Sequence, residues 1–214
     1  HISGSEDRVI PPVWYHPFYR SERGDRDLMM INDSAFLFSS DRYEGFGGYD
    51  IYVTYKRLGV WVMENLGPHI NSASDEITPF LAADGRTLYF SSNSEKSMGG
   101  YDVFFSVFDD GSLEWSEAEN AGRPVNSGKD ETGFRLSASG NMGVFASDRP
   151  GGYGGYDLYQ VFMDQPMAGI QERSIAVFYE VGNFQEFIGS VLPLKEPEEV
   201  KPTQVIPSIY FDRS

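Results

Sequence analysis

The sequence contains no cysteine, few basic residues and no long apolar run, and each absence narrows the range of functions. Without cysteine there are no disulfides, no Cys-ligated zinc and no thiol nucleophile. Lys and Arg number 17 against 32 Asp and Glu, a net charge of −15, and no basic cluster offsets this excess. An acidic chain of this kind repels phosphate backbones, so we expect no nucleic-acid partner. No run of about 18 apolar residues predicts a transmembrane helix.

Helical periodicity is also missing, because no segment repeats its apolar residues every 3.6 positions over about ten residues or more. Aromatic residues make up 15% of the chain and glycines number 23. This aromatic content supplies apolar surface for a core, which disordered chains lack. The composition therefore predicts a folded protein with little helix.

A sequence motif occurs three times. A strand-like segment ends in Ser or Ala followed by Ser, passes through a polar, glycine-rich stretch and reaches Gly-Gly-Tyr-Asp followed by an apolar residue. The motif aspartates follow one another at intervals of 52 and 55 residues, close to the period of propeller blades. The repeated residues are Gly48, Tyr49 and Asp50, then Gly100, Tyr101 and Asp102, then Gly155, Tyr156 and Asp157.

A second element keeps the same register. Asn71, Asp75 and Glu76 recur as Asn126, Asp130 and Glu131, and each set precedes a short apolar run and a turn. In the middle unit we predict strands at residues 78–82, 87–91, 101–107 and 113–117. Four strands per repeat predict an all-β fold, a β-propeller of four-stranded antiparallel blades. Three blades are explicit. The two chain ends are expected to build a fourth, irregular blade that closes the ring, because an open arc cut from a larger propeller, the alternative, would leave an apolar edge.

The domain organisation follows from where the composition changes. Residues 1–12 are interpreted as an N-terminal lead or a cloning remnant, and residues 13–192 as the propeller domain. Within that domain, residues 13–19 are strand-like, and residues 174–180 and 184–191 are predicted to form a hairpin. Proline, glutamate and lysine dominate residues 193–202, and residues 193–214 are therefore predicted to be an extended linker towards a following domain.

These repeats resemble the TolB-like and WD-like β-propeller repeats over residues 33–162. More narrowly, they resemble the version fused to OmpA-like domains in envelope proteins of Bacteroidota, including PorE/SprE-like components of type IX secretion. The residues from Ile209 to Asp212 resemble the first strand of an OmpA-like domain, although Arg213 replaces an expected apolar residue. The resemblance implies a periplasmic, outer-membrane-associated protein with an envelope protein partner and an indirect peptidoglycan link through a following domain.

The repeated motif is best explained as structure. Glycine permits a tight bend, tyrosine packs between blades, and an aspartate side chain accepts hydrogen bonds from nearby amides. The candidates for interaction at the loop rim are different residues. They are Asn71, Asp75, Glu76, Asn126, Asp130, Glu131, Tyr43 and Tyr153. Their carboxylate and amide oxygens suit calcium, but the spacing is not that of an EF-hand, so no cofactor is predicted and calcium stays an alternative.

Catalysis is not predicted. The only histidines are His1, His16 and His69, no nucleophile elbow is present, and no acidic pair stands out. The exposed-loop aromatics Tyr43, Phe46 and Tyr153 and the tryptophans Trp14, Trp61 and Trp115 are candidates for stacking on sugars, although repeated aromatics usually pack between blades. We therefore predict a non-catalytic interaction scaffold, with a glycan- or small-ligand-binding propeller, calcium-assisted, as the alternative and a hydrolase as a third hypothesis.

Overall fold

The computed structural model of the chain describes residues 21–163 and 205–207. These residues form three antiparallel sheets that follow one another along the chain. Sheet 1 consists of β1 (Ser21–Asn32), β2 (Ala35–Arg42), β3 (Asp50–Arg57) and β4 (Val60–Asn65). Sheet 2 consists of β5 (Glu76–Leu81), β6 (Thr87–Ser92), β7 (Asp102–Asp109), β8 (Glu114–Trp115) and β9 (Glu119–Asn120). Sheet 3 consists of β10 (Glu131–Leu136), β11 (Met142–Ser147), β12 (Asp157–Phe162) and β13 (Val205–Pro207).

The prediction of an all-β chain built from antiparallel four-stranded units is confirmed for the described residues, which contain no helix. The fourth strand predicted in the middle unit is instead two short strands, β8 and β9, which both pair with β7. Accordingly, none of the described residues forms a helix of the length and apolar character that a membrane crossing needs. A fourth blade and ring closure stay predictions, because residues 13–19 and 174–191 lie outside the described residues.

The strand β13 lies in the range 193–214 that the sequence assigns to a linker. Its backbone pairs antiparallel with β12, with Ile206 opposite Gln160. This part of the range therefore supplies the fourth strand of sheet 3.

Tight turns connect the first two strands of sheets 2 and 3, at Asp84-Gly85 and Ser139-Gly140, where the sequence predicts a turn after each apolar run. Gly85 and Gly140 have φ values of 66° and 71°, a region that glycine enters without steric cost. In the first of these turns the Asp84 carboxylate accepts hydrogen bonds from the amides of Arg86 and Thr87. The turn chemistry thus sets the register between β5 and β6.

The cores lie between neighbouring sheets. One cluster joins Leu37 and Ile51 of sheet 1 to Leu88 and Phe90 of sheet 2. A second joins Tyr89 of sheet 2 to the aromatic residues of sheet 3. Successive residues of β6 therefore point into different cores, because side chains alternate along a strand. Sheet 2 is packed on both faces, which explains why every residue of β6 is buried.

Strand register makes positions in the three sheets equivalent. Ser40 near the end of β2, and Ser92 and Ser147 at the ends of β6 and β11, pair with the motif aspartates on the third strand of each sheet. The same serines pair on their other side with Asp25, Glu76 and Glu131 of the first strands. Two positions after each serine stand Arg42, Ser94 and Arg149. Differences between the sheets can therefore be compared position by position.

Candidate functional site

Each motif aspartate holds the loop that precedes it. Asp50 Oδ2 accepts a hydrogen bond from the Phe46 amide at 2.6 Å, and Asp102 Oδ2 accepts one from the Met98 amide at 2.6 Å. In sheet 3, Asp157 Oδ2 accepts from the Tyr153 amide at 2.8 Å. Burial raises the pKa of Asp50, and its amide and side-chain donors offset part of that shift. The three loops are therefore held in the same way at the same edge of each sheet.

The carboxylates of Asp75 and Asp130 each join two sheets. Asp75 Oδ1 accepts from the Tyr49 amide of sheet 1 at 2.8 Å, and Asp75 Oδ2 accepts from the Tyr101 hydroxyl of sheet 2 at 2.8 Å. Asp130 repeats the arrangement, with the Tyr101 amide at 2.9 Å and the Tyr156 hydroxyl at 2.7 Å. Partial burial and the neighbouring Asp130 carboxylate raise the pKa of Tyr156 to about 12. These carboxylates are structural links between sheets.

Asn71 and Asn126 complete the same junctions. Asn71 Oδ1 accepts from the Ile51 amide at 2.8 Å, and Asn71 Nδ2 donates to the Ile51 carbonyl at 3.0 Å. Asn126 makes the equivalent pair of bonds to Val103, both at 2.8 Å. Each amide side chain thus mimics a strand neighbour at the edge of the preceding sheet.

The motif glycines allow the close approach that these junctions need. A Cβ on Gly48 or Gly100 would lie 1.9 Å from Oδ1 of Asp75 or Asp130. At Gly155, by contrast, no described atom lies within 4 Å of the Cβ position. The third copy of the motif therefore has no loop docked against it from the described part of the chain.

The structure changes the interpretation of the predicted rim residues. Asn71, Glu76, Asn126 and Glu131 are buried, so their side chains do not lie on the outer surface of the loop edge. Asn71 and Asn126 are buried because the loops that carry them insert between sheets, and Ser72 and Ser127 of the same loops bond the carboxylates of Glu76 and Glu131 at the starts of β5 and β10. Asp75 and Asp130 are partly buried, with both carboxylate oxygens hydrogen-bonded within the protein.

The oxygens that suggested calcium are therefore occupied by protein donors. Among the described residues, no three His, Cys, Asp or Glu side chains gather as a metal site. These contacts test neither calcium binding nor a catalytic role, so both stay alternatives.

Tyr43 and Tyr153 do lie on the surface, 88% and 81% exposed. Strand register shows that they are not equivalent, because Tyr153 corresponds to Phe46 and Met98. Phe46 and Met98 are 49% and 46% exposed. Met98 was missed from sequence because methionine is not an aromatic, although its place before Gly-Gly marks it. We call the loops at residues 43–48, 95–100 and 150–155 the loop rim.

The remaining aromatic and histidine candidates lie at separate positions in the structure. Trp115 is buried in the core between sheets 1 and 2, and the ring of Trp61 packs 5.8 Å from that of Phe36. His69 Nδ1 lies 3.9 Å from Glu117 Oε1 at the surface. His1, Trp14 and His16 lie outside the described residues.

The first-strand acids Glu76 and Glu131 share a second set of contacts. Each accepts hydrogen bonds from the amide and hydroxyl of the serine after the junction asparagine, Ser72 or Ser127, at 2.6 to 2.8 Å. Each also accepts from the hydroxyl of its strand partner, Ser92 or Ser147. Burial raises the pKa of Glu76 above its usual value.

Sheet 2 carries a cavity of about 290 Å³ next to Glu76. It lies at the loop-rim edge, and Ser94, Lys96 and Glu117 are among the residues that line it. Its volume is at the low end of the range of about 300–1,000 Å³ for small-ligand pockets. A single side chain or a small molecule is therefore the size of group that it can hold.

The chain resembles known proteins only at the level of solved structures. No family model matches the chain. No curated protein matches it. Among solved structures, it is similar to one assigned to TolB from Agrobacterium tumefaciens, with 20% identity and a TM-score of 0.44. The match covers 61% of this chain and 42% of that one, so the chain spans less than half the length of this relative.

Proposed function

We propose that this chain is a non-catalytic protein-interaction module of the bacterial cell envelope that contacts its partner through the loop rim. The observation that carries the proposal is the repeated display of Phe46, Met98 and Tyr153. One large, exposed side chain stands at the same position of each sheet, immediately before Gly-Gly. Single exposed apolar residues are common on protein surfaces and need no explanation. Here a large exposed side chain recurs at the equivalent position of every sheet, and this repetition makes the loop rim an organised surface.

The rigidity of the rim supports this function. Each displayed residue has its backbone amide bonded to a motif aspartate, so its direction is set before a partner arrives. A preorganised contact surface loses less conformational entropy on binding than a mobile loop does. The net charge of −15 would speed encounter with a basic partner.

The cellular setting of the proposal rests on the sequence resemblance. We place the protein in the periplasm, associated with the outer membrane, as part of a type IX secretion or peptidoglycan-anchored assembly. In this proposal residues 13–192 form the propeller and residues 193–214 lead to an anchoring domain, with β13 paired to sheet 3 on the way.

The fourth blade is a further part of the proposal. Leu158 is 52% exposed, whereas its equivalents Ile51 and Val103 are fully buried beneath the next sheet. We propose that residues from the two chain ends cover sheet 3 and close the ring. Hydrogen exchange on the full chain tests this. The amides of Tyr156 and Leu158 should then be as protected as those of Tyr101 and Val103, and rapid exchange at both would contradict closure.

A rim variant tests the interaction role. Phe46→Ser, Met98→Ser and Tyr153→Ser are combined in the full-length protein, which is expressed in its native envelope and crosslinked. The matched control is Leu58→Asn with Leu113→Asn, which removes two exposed apolar residues from the turns at the opposite edge. Both leucines have positive φ values, 50° and 59°, a region where asparagine is favoured.

We expect a stoichiometric envelope protein to crosslink to the wild type and the control and to be lost from the rim variant. Equal crosslinking in all three proteins would refute the rim as the contact surface. Recovery of glycan alone, lost in the rim variant, would favour the alternative of a glycan-binding propeller over a protein scaffold.

A further inference from the structure

We propose that the cavity beside Glu76 in sheet 2 is a binding site for a guanidinium group, the charged end of arginine. In sheet 3 the equivalent position is filled by the protein's own arginine. Arg149 Nη2 lies 3.0 Å from Glu131 Oε1, and Arg149 Nε lies 3.1 Å from Ser147 Oγ. Nη1 donates to the Pro124 carbonyl at 3.1 Å, and Nη2 also donates to the Val125 carbonyl.

The same guanidinium packs on two aromatic rings. The Arg149 Cζ lies 4.9 Å from the ring centre of Phe145 and 5.0 Å from that of Tyr159. These two rings are stacked, with centres 5.9 Å apart. Acid, hydroxyl, carbonyls and aromatic faces together satisfy the charge, the donors and the flat surface of a guanidinium.

Sheet 1 holds an arginine in a related way. Arg42 Nη2 lies 2.8 Å from Asp25 Oδ2, and Arg42 Nε donates to Ser40 Oγ at 2.9 Å. Its Cζ lies 5.2 Å from the ring centre of Phe38. An arginine between a first-strand acid and a second-strand phenylalanine is therefore a repeated feature of this fold.

Sheet 2 keeps the components of this site but not the arginine. Glu76, Ser92 and the stacked rings of Phe90 and Phe104, 6.0 Å apart, occupy the equivalent positions. The arginine is replaced by Ser94, and these five residues all line the cavity. His69 and Ile70, which correspond to Pro124 and Val125, line it as well. The cavity therefore has the chemistry of a guanidinium site.

Electrostatics favour a cation at this position. Glu76 is 1% exposed, and among the described residues no cation contacts its carboxylate. A buried carboxylate without a counter-charge is costly, and a guanidinium that enters would remove much of that cost. At the mouth, Lys96 Nζ lies 3.6 Å from Glu117 Oε2, so that lysine is paired at the surface.

Binding of small probes to the purified full chain tests this inference. The probe is N-acetyl-L-arginine amide, and its control is N-acetyl-L-citrulline amide, which has nearly the same shape without the charge. Titration is followed by calorimetry and by amide chemical shifts. We expect the arginine probe to shift the amides of Glu76, Ser92 and Ser94 and to bind about tenfold or more tightly than the citrulline probe.

Two variants locate the site. Ser94→Arg should place the chain's own guanidinium in the cavity, as Arg149 does in sheet 3, and abolish probe binding. Ala138→Arg adds the same charge at an exposed turn position and should leave binding unchanged. Equal binding of the two probes, no binding at millimolar concentration, or full binding to Ser94→Arg would each overturn the proposal. The probe comparison uses wild-type protein, so it holds even if Ser94→Arg folds poorly.

A comparison of the capped amide with free L-arginine identifies the source of the guanidinium. Stronger binding of the capped amide than of free L-arginine would indicate an arginine side chain of a partner protein, and the reverse would indicate a small guanidino compound. This site does not depend on the loop-rim function, because the rim variant keeps Glu76 and Ser94. Failure of the probe to bind would leave the crosslinking result unaffected, and loss of crosslinking would leave probe binding intact.

Discussion

The Arg149 guanidinium lies 3.0 Å from Glu131 Oε1, and Glu131 has no exposed surface. Sheet 2 places Ser94 and Glu76 at the same two positions, so one acid is neutralised within its own sheet and the other is not. This difference converts a repeated packing feature into a cavity that can take a ligand.

Arg149→Ser should destabilise the protein by about 3 kcal/mol, because it leaves the Glu131 carboxylate buried and unpaired. Urea denaturation measures the change. Arg57→Ser, which removes an exposed arginine at the end of β3, should change the free energy of unfolding by less than about 0.5 kcal/mol. Equal effects of the two variants would show that the Glu131 pair contributes nothing.

Glu76→Gln tests the titration of the buried acid. Burial raises the pKa of Glu76 above 4.5, so the folded state binds this proton more tightly than the unfolded state does. The stability of the wild type relative to Glu76→Gln should therefore fall as the pH rises from below 4.5 through the raised pKa, and then level off.

Denaturation of both proteins from about pH 4 to about pH 8 measures this difference. Asp50 also interacts with Glu76, and His69, Glu95, Lys96 and Glu117 line the cavity. These groups are present in both proteins, so their own titrations largely cancel. A relative stability that rises with pH would contradict the prediction.

Gly99→Ala should disrupt the junction between sheets 2 and 3. Its Cβ would lie 2.3 Å from the Lys129 carbonyl oxygen, a backbone atom that cannot move without the loop. We expect a loss of about 1–3 kcal/mol, as for other overpacked sites. Gly128→Ala in the facing loop is the control, since nothing described lies within 4 Å of its Cβ position and Ala73 is the equivalent residue. Thermal melts of both variants are compared. A loss of stability in Gly99→Ala alone would assign it to the steric clash, and equal losses would assign it to any glycine-to-alanine change in these loops.

Tyr101→Phe and Tyr156→Phe remove matching hydrogen bonds, from a hydroxyl to Asp75 and to Asp130. Tyr101 is partly buried, whereas Tyr156 is 53% exposed within the described part of the chain. We expect Tyr101→Phe to cost about 1 kcal/mol in urea denaturation. Tyr156→Phe should cost about as much if the chain ends cover sheet 3 as proposed above, and a distinctly smaller loss would contradict that covering, because water would then replace the lost bond.

The repeat determined much of the fold. The period of the Gly-Gly-Tyr-Asp motif located three antiparallel units, and the predicted strand at 87–91 is β6, Thr87–Ser92. These features are local, because turn residues and alternating apolar residues act over a few positions. Strand β1, Ser21–Asn32, was not predicted, since its sequence carries no motif of its own.

Only the tertiary structure decided which of the predicted rim residues are exposed. Asn71 and Glu76 have the polarity of surface residues, yet both are buried, because the loop that carries Asn71 inserts between sheets and the Ser72 amide of that loop donates to the Glu76 carboxylate. The cavity is likewise invisible in sequence. Ser94 and Arg149 look like unrelated surface residues until strand register places both beside a buried glutamate, and that placement depends on contacts between residues distant in the chain.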